Sequence, residues 1–239
     1  MKKKGAVLFD LYGTLIDIET NEEDLSVYEA LSRYVSYYRV RIGPEDLKAA
    51  YFGEVSLRLR ADAHREVDVH EIFEGILRRH LENAETCPPG LALSATVLFR
   101  SLSMRRFGLF PGVKGFLEAV SDNFLTALVS DAQWAFAEPE LSILDLGRYF
   151  QCRILSSRIG HKKPDPRPFE AAMKELNVSP EECIYIGDSP ERDLQGAKNA
   201  GLRCVLFGKG AGPFGGLAPD ASFARYEELY PVLTRLFPA

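Results

Sequence analysis

Five short apolar runs separated by helical stretches constrain the fold of this chain more than any other feature. They are GAVLF (5–9), FLTALVS (124–130), CRILSS (152–157), CIYIG (183–187) and RCVLF (203–207). Each is continuously apolar rather than alternating, the pattern of strands covered on both faces. Helical segments lie between them. VKGFLEAVSD follows Pro111-Gly112, PRPFEAAMKELN has Pro166 and Pro168 in its first turn, and ERDLQGAKNAG places Gly201 at a helix C′ position. Such strand–helix alternation predicts an α/β fold, a parallel sheet with helices on both faces.

Residues 18–107 follow a different pattern. NEEDLSVYEALSRYVSYYRV spaces Leu25, Tyr28, Leu31, Val35 and Tyr38 as on one face of a helix. PEDLKAAYFGEVSLRLR, VHEIFEGILRRHL and LALSATVLFRSLSMRRF continue in the same way, so about four helices and no strand are expected here. The predicted organisation is therefore discontinuous: residues 1–17 and 108–239 form the α/β core, and residues 18–107 form a helical insert lodged after the first strand.

The composition, 46% hydrophobic and 26% charged over 239 residues, is that of a chain able to bury a substantial core. A formal net charge of −5 gives no bulk attraction to nucleic acid or a membrane surface, so neither is expected as a partner. No apolar run approaches the ~20 residues of a membrane span. Asp10 and Asp17 also break up the start of the chain, which argues against a signal peptide. Cys87, Cys152, Cys183 and Cys204 are dispersed with no C-x-x-C pair, so reduced thiols and a cytoplasmic location are expected. The run Lys2-Lys3-Lys4 reads as a solvated tag, and GKGAGPFGG (208–216) as a surface loop without the Walker order of residues.

In an open parallel sheet, ligands bind beyond the carboxyl ends of the strands. The first run delivers Asp10 there, with Thr14 behind it in FDLYGTLID; the second delivers Ser130 and Asp131; HKKPDPRPF supplies Lys163; and CIYIG delivers Asp188 and Ser189, with Asp193 beyond. Singly, each is an ordinary loop or capping residue. Together they resemble the four motifs of the haloacid dehalogenase superfamily of hydrolases: DxxGT, a small hydroxyl residue after the second strand, KPDP and GDxxxxD. The resemblance covers residues 5–17 and 109–207. It implies a Rossmann-like core, with the insert as a helical cap domain in the place where the family carries one.

The resemblance assigns roles. Asp10 becomes a carboxylate nucleophile that forms a covalent intermediate, with Lys163 as a fixed positive charge beside it. Thr14, Ser130, Asp131 and Lys163 fall at positions that contact an anionic small-molecule substrate. Asp10, the main-chain carbonyl of Tyr12, Asp188 and Asp193 correspond to the Mg²⁺ site, Asp193 acting either on a metal-bound water or on Lys163.

Tyr12 divides the reading. Phosphatases of the family usually have an aspartate there, which protonates the leaving alkoxide; the 2-haloacid dehalogenases read DxYGT, since a halide leaves without a proton. Against the dehalogenase pattern stand Asp188 in place of a serine, Asp131 in place of an asparagine and Phe169 in place of a tyrosine. The expectation is a magnesium-dependent phosphatase acting on a small phosphorylated metabolite. A metal-independent 2-haloacid dehalogenase and a weakly catalytic phospholigand-binding protein are the alternatives. The arginines of the insert read mainly as solvated faces, although dehalogenases use a cap arginine for the halide and Arg39 and Arg41 lie in that region. His161 is a candidate for the crevice, and Tyr28, Tyr34, Tyr37 and Tyr38 read as helix packing. Oligomeric state is open between monomer and homodimer.

Overall fold

The computed structural model describes residues 3, 5–60, 65–83, 87–208 and 212–237. In chain order its elements are β1 (Ala6–Phe9), β2 (Ile16–Thr20), α1 (Leu25–Ser36), α2 (Pro44–Leu59), α3 (Val69–His80), α4 (Leu91–Ser103), β3 (Met104–Leu109), α5 (Val113–Asn123), β4 (Leu125–Ser130), α6 (Trp134–Ile143), β5 (Cys152–Leu155), α7 (Ser156–Ile159), α8 (Arg167–Leu176), β6 (Cys183–Gly187), α9 (Gln195–Asn199), β7 (Arg203–Phe207), β8 (Ala221–Phe223) and α10 (Leu229–Leu236).

Six strands form one sheet in the order β5-β4-β1-β6-β7-β8, every neighbouring pair parallel. The five apolar runs are five of these strands; β8 is an addition at the edge. The continuous apolar pattern follows from the pleat. Val7 and Phe9 of β1 point into a cluster with Phe116, Val120, Leu141 and Leu233 from α5, α6 and α10. Ala6 and Leu8 point the other way, to Phe169 and Ala172 of α8 and Ala197 of α9. Because β1 lies between β4 and β6, its end falls where the strand order reverses, the place where an α/β sheet leaves a crevice.

Between β2 and β3 lie α1 to α4, packed on their own apolar cluster of Val27, Tyr28, Leu31, Tyr51, Phe73 and Phe99. The Tyr51 ring stacks on Phe73 at 5.5 Å and meets Phe99 at 4.9 Å. Asp24 and Asp68 start α1 and α3 as N-caps, accepting from the N–H groups of Ser26 and His70. Ala135 and Phe136 of α6 belong to the same cluster, so the helical block rests on the core through an apolar contact.

Two elements differ from the sequence reading. Residues 18–107 were expected to hold no strand, yet the chain enters and leaves the block through an antiparallel ribbon in which Asp17 faces Gly108 and Ile18 faces Phe107. Helical periodicity in α4 stops at Ser103, and Arg106 then crosses the ribbon to Asp17 at 2.9 Å and Glu19 at 2.7 Å. The segment beginning ERDL does not start as an α-helix either. Pro190–Leu194 forms a wider π turn, and α9 begins only at Gln195. No helix of the described residues is long and apolar enough to cross a membrane.

Candidate active site

Asp10 leaves the end of β1 almost fully buried, at 4% exposure, its N–H bonded to the Ile186 carbonyl at 2.9 Å. Lys163, from the loop before α8, places its ammonium against three acceptors: Asp10 Oδ1 at 2.8 Å, Asp193 Oδ1 at 2.7 Å and the Tyr185 hydroxyl at 2.8 Å. A lysine has three protons to donate, so this one is saturated. Tyr185 was read from the sequence only as part of an apolar strand. Its hydroxyl also lies 2.9 Å from Asp193 Oδ1 and 3.1 Å from the Val129 carbonyl, completing the cage around the ammonium. The one legible clue was its residue type, since a buried tyrosine usually finds a partner for its hydroxyl.

The π turn explains the position of Asp193. The N–H groups of Asp193 and Leu194 both bond the Ser189 carbonyl, which turns the Asp193 side chain back toward the strand end. There its Oδ2 accepts the N–H groups of Asp188 at 3.0 Å and Ser189 at 2.8 Å. Both Asp193 oxygens are therefore engaged, one by Lys163 and one by main chain. Gly187 is required beneath it, because a Cβ at that position would lie 2.4 Å from Asp193 Cγ.

Asp188 has more freedom. Thr14, fully buried, donates to its Oδ1 at 3.1 Å, so Thr14 faces Asp188. Carboxylate oxygens of Asp10, Asp188 and Asp193 lie within 4.8 Å of one another. Burial, then Asp10 and Asp193, push the Asp188 carboxyl up to about 6. Burial also raises Asp10, opposed by the Lys163 ammonium and a hydrogen bond from Ser130. Burial works against Asp193 as well, but Lys163 and the Ser189 N–H hold it below the usual carboxylate range. Lys163 is buried too, yet Asp10, Asp193 and Asp131 keep its ammonium far above the ordinary lysine value.

Ser130 ends β4, buried beside Asp10. In the loop that follows, the Ala132 N–H is taken by Ser156 Oγ at 2.9 Å. Asp131 Oδ1 accepts the Lys163 N–H at 2.9 Å and so ties the lysine loop to β4, while Oδ2 is buried with no hydrogen-bond partner. A cavity of about 460 Å³ opens beside these groups, lined by Asp131, Lys162, Lys163, Arg192 and Glu66. Glu66, which the sequence reading did not single out, comes from the segment ahead of α3 and accepts from Ser156 Oγ at 2.8 Å.

Tyr12 does not project freely into this crevice. Its hydroxyl donates to Glu140 Oε2 of α6 at 2.5 Å, and Arg100 of α4 binds the same carboxylate, Nε to Oε1, at 2.7 Å. The arginines considered from sequence lie elsewhere: Arg41 pairs with Glu82 in solvent, Arg58 and Arg79 meet Glu54, and Arg39 is exposed. His161 sits against Arg167, with its Nδ1 buried and unpartnered.

The donor set fits a small hard cation, which takes carboxylate and carbonyl oxygens. Asp188 is the carboxylate least engaged by protein donors, and Asp10 has one oxygen beyond the reach of Lys163. Asp193, with both oxygens occupied, is suited to hold Lys163 and the Asp188 main chain.

Residues 4–201 match the family model of haloacid dehalogenase-like hydrolases, and the chain belongs to that family of enzymes. Among curated relatives, it is 30% identical over 244 residues to the plasmid-encoded phosphoglycolate phosphatase of Cupriavidus necator, covering 98% of this chain and 96% of that one. It is 33% identical over 141 residues to a phosphoserine phosphatase of Thermus thermophilus. That match takes in 59% of this chain and 56% of the relative's length. Among solved structures, a 2-haloacid dehalogenase from Pseudomonas syringae superposes with a TM-score of 0.69 at 24% identity, covering 98% of this chain and 99% of the other, a likeness of fold.

Proposed function

We propose that the protein is a magnesium-dependent phosphatase of a small phosphorylated metabolite, working through an aspartyl-phosphate on Asp10. The observation that carries this reading is the gathering of three carboxylates, Asp10, Asp188 and Asp193, against the single ammonium of Lys163. Such a cluster repels an anionic substrate unless a cation joins it. Asp10, Asp188 and the Tyr12 carbonyl would hold Mg²⁺, which would offset charge on the transferring phosphoryl group. A metal-independent dehalogenase has no evident use for Asp188, and of the two arginines considered for a halide Arg41 pairs with Glu82 while Arg39 is exposed. The full-length similarity to a phosphoglycolate phosphatase supports the same side.

In this scheme an Asp10 oxygen attacks phosphorus and the bond to the leaving oxygen breaks. Water then attacks the aspartyl-phosphate, releases phosphate and restores the carboxylate. Lys163 holds the Asp10 carboxylate in place at the strand end. Ser130 and the cavity beside Asp131 receive the phosphoryl group and its substituent. Tyr12 gives the leaving group little help. Burial and the adjacent Glu140 push its phenol well above 10, making it a weak acid, and its proton is committed to Glu140. Residues 18–107 act as a cap that closes over the crevice and pivots on the ribbon at Asp17-Ile18 and Phe107-Gly108.

The test is a screen of phosphomonoesters and 2-haloacids, each with Mg²⁺ and with chelator. Phosphate release that needs Mg²⁺ is expected. Chloride release from 2-chloropropionate that is indifferent to chelator, with no phosphatase activity, would overturn the reading.

A further inference from the structure

Beside the Asp10 cluster lies a second buried group of charges. Glu140, only 3% exposed in the middle of α6, accepts from the Tyr12 hydroxyl and from Arg100, whose Nη2 also approaches Oε2 at 3.4 Å. The Arg100 guanidinium lies 5.1 Å from the centre of the Tyr12 ring and 5.0 Å from that of Phe136, stacked between the catalytic loop and α6. Its side chain is 11% exposed. Glu22, on the segment entering α1, is half-buried near the same guanidinium and accepts from the Tyr51 hydroxyl at 3.3 Å. The groups meeting here come from three separate parts: the neutral Tyr12 hydroxyl from the loop that carries Asp10, Glu140 from the core, and Arg100 and Glu22 from the helical block and its entry.

Burying an ion pair brings little net stability, since desolvation offsets the attraction, and an apolar pair of similar volume often does as well or better. Its distinctive property is conditional geometry. When Arg100 is docked, the Glu140 carboxylate is neutralised and held in two directions, and the Tyr12 hydroxyl bonded to it is fixed. If the helical block lifts, Arg100 leaves with α4, and Glu140 must rehydrate and reorient. Tyr12 lies two residues after Asp10 and one before Gly13, so its placement sets the main chain between the nucleophile and Thr14.

We infer that Arg100 and Glu140 are positioning residues that report closure to the catalytic loop. Docking of the helical block completes the chain Arg100–Glu140–Tyr12 and thereby fixes the segment Asp10–Thr14. Neither residue contacts substrate in this role. It rests on the cap closure proposed above, and on the phosphatase reading for its kinetic readout.

Three variants test it. Arg100→Met keeps the stem that packs on Tyr12 and Phe136 but removes the charge. The double variant Arg100→Met/Glu140→Met replaces the buried pair by apolar side chains and guards against misfolding of the single one. Tyr12→Phe removes only the hydroxyl. The measurements are kcat and KM for nitrophenyl phosphate and hydrogen exchange of the amides of residues 10–16. For both arginine variants kcat is expected to fall about 10- to 100-fold with KM changed less than about threefold, because a displaced loop costs rate rather than binding. Exchange of residues 10–16 should quicken at least about tenfold, even where the melting temperature of the double variant equals that of wild type. Tyr12→Phe and Arg100→Met should be non-additive in kcat, since both act through Glu140. A double variant with wild-type melting temperature, wild-type exchange at 10–16 and wild-type kcat would overturn the inference. If wild type hydrolyses no phosphate ester the phosphatase reading falls, and the exchange measurement still decides this one.

Discussion

Gly13 lies directly beneath Asp188: a Cβ at Gly13 would stand 2.6 Å from Asp188 Oδ2, and the Gly13 backbone has φ of +82°. Two constraints thus coincide, a left-handed backbone and a carboxylate that an added Cβ would have to displace. Gly13→Ala is expected to lower stability by about 1–3 kcal/mol, roughly 2–10 °C in melting temperature for a chain of this size. It should also displace Asp188 and weaken Mg²⁺ binding. Thermal melts with and without Mg²⁺ check both; an unchanged metal-induced shift would mean that Asp188 is not a ligand.

Asp188 gives a pH dependence whose sign is fixed. Its carboxyl is raised to about 6 in the fold from an ordinary 3.8, so between those values the folded protein holds more proton than the unfolded chain. Stability of the metal-free protein therefore falls through this group as pH rises from about 4 to 6. Asp188→Asn should relieve the loss, by on the order of 1–2 kcal/mol at pH 7 after allowance for solvent at a partly exposed group. The gap in melting temperature between variant and wild type, measured in chelator, should widen from pH 4 to pH 7. A gap that stays constant or narrows would refute the assignment. Addition of Mg²⁺ should reverse the order, because only wild type gains a ligand.

Asp193 and Asp188 are expected to separate in their effects on metal. Both Asp193 oxygens are occupied by Lys163 and main-chain N–H groups, so Asp193→Asn should damage the orientation of Lys163 more than it weakens Mg²⁺ binding. Asp188→Asn should do the opposite. Calorimetric titration of the two variants with Mg²⁺ distinguishes them, and a larger loss of affinity in Asp193→Asn would contradict the geometry.

Lys163 neutralises two buried carboxylates at once, so Lys163→Met should cost about 3–5 kcal/mol by leaving them without a counter-charge. The loss should shrink at low pH, where Asp10 takes up a proton. Chemical denaturation at pH 5 and pH 8 measures it; an equal loss at both would show that the carboxylates are not its cause.

Tyr12 predicts dependence on the leaving group. General acid help is worth roughly 10²–10⁴-fold, and a phenol bonded to Glu140 supplies little of it. Acyl phosphates and nitrophenyl phosphate should be hydrolysed better than alkyl phosphates. Tyr12→Asp keeps the main-chain carbonyl but gives up the bond to Glu140, so it should raise the ratio of kcat for alkyl phosphates to kcat for aryl phosphates even where the displaced loop slows both. Equal effects on alkyl and aryl substrates would count against this account.

The sequence by itself determined the layered α/β core and the residues that share its crevice. Short continuous apolar runs alternating with helical segments suit strands buried on both faces, and residues that end parallel strands converge whatever the loops do. Asp10, Ser130 and Asp188 were legible on that ground, and Lys163 through the KPDP motif of the loop before α8. The tertiary structure alone decided how their oxygens and protons are shared. Asp193 is engaged on both sides because Pro190–Leu194 winds as a π turn, which its helical pattern did not announce. The β2–β3 ribbon is a pairing of segments some ninety residues apart in the chain, each too short for its alternation to stand out. Tyr12 finds its acceptor 128 residues away, on a helix that is mostly apolar, and Arg100 reaches the same carboxylate from the helical block. Periodicity records which face of an element is buried; the partner a buried polar group meets depends on how the elements are stacked, and that information is not local.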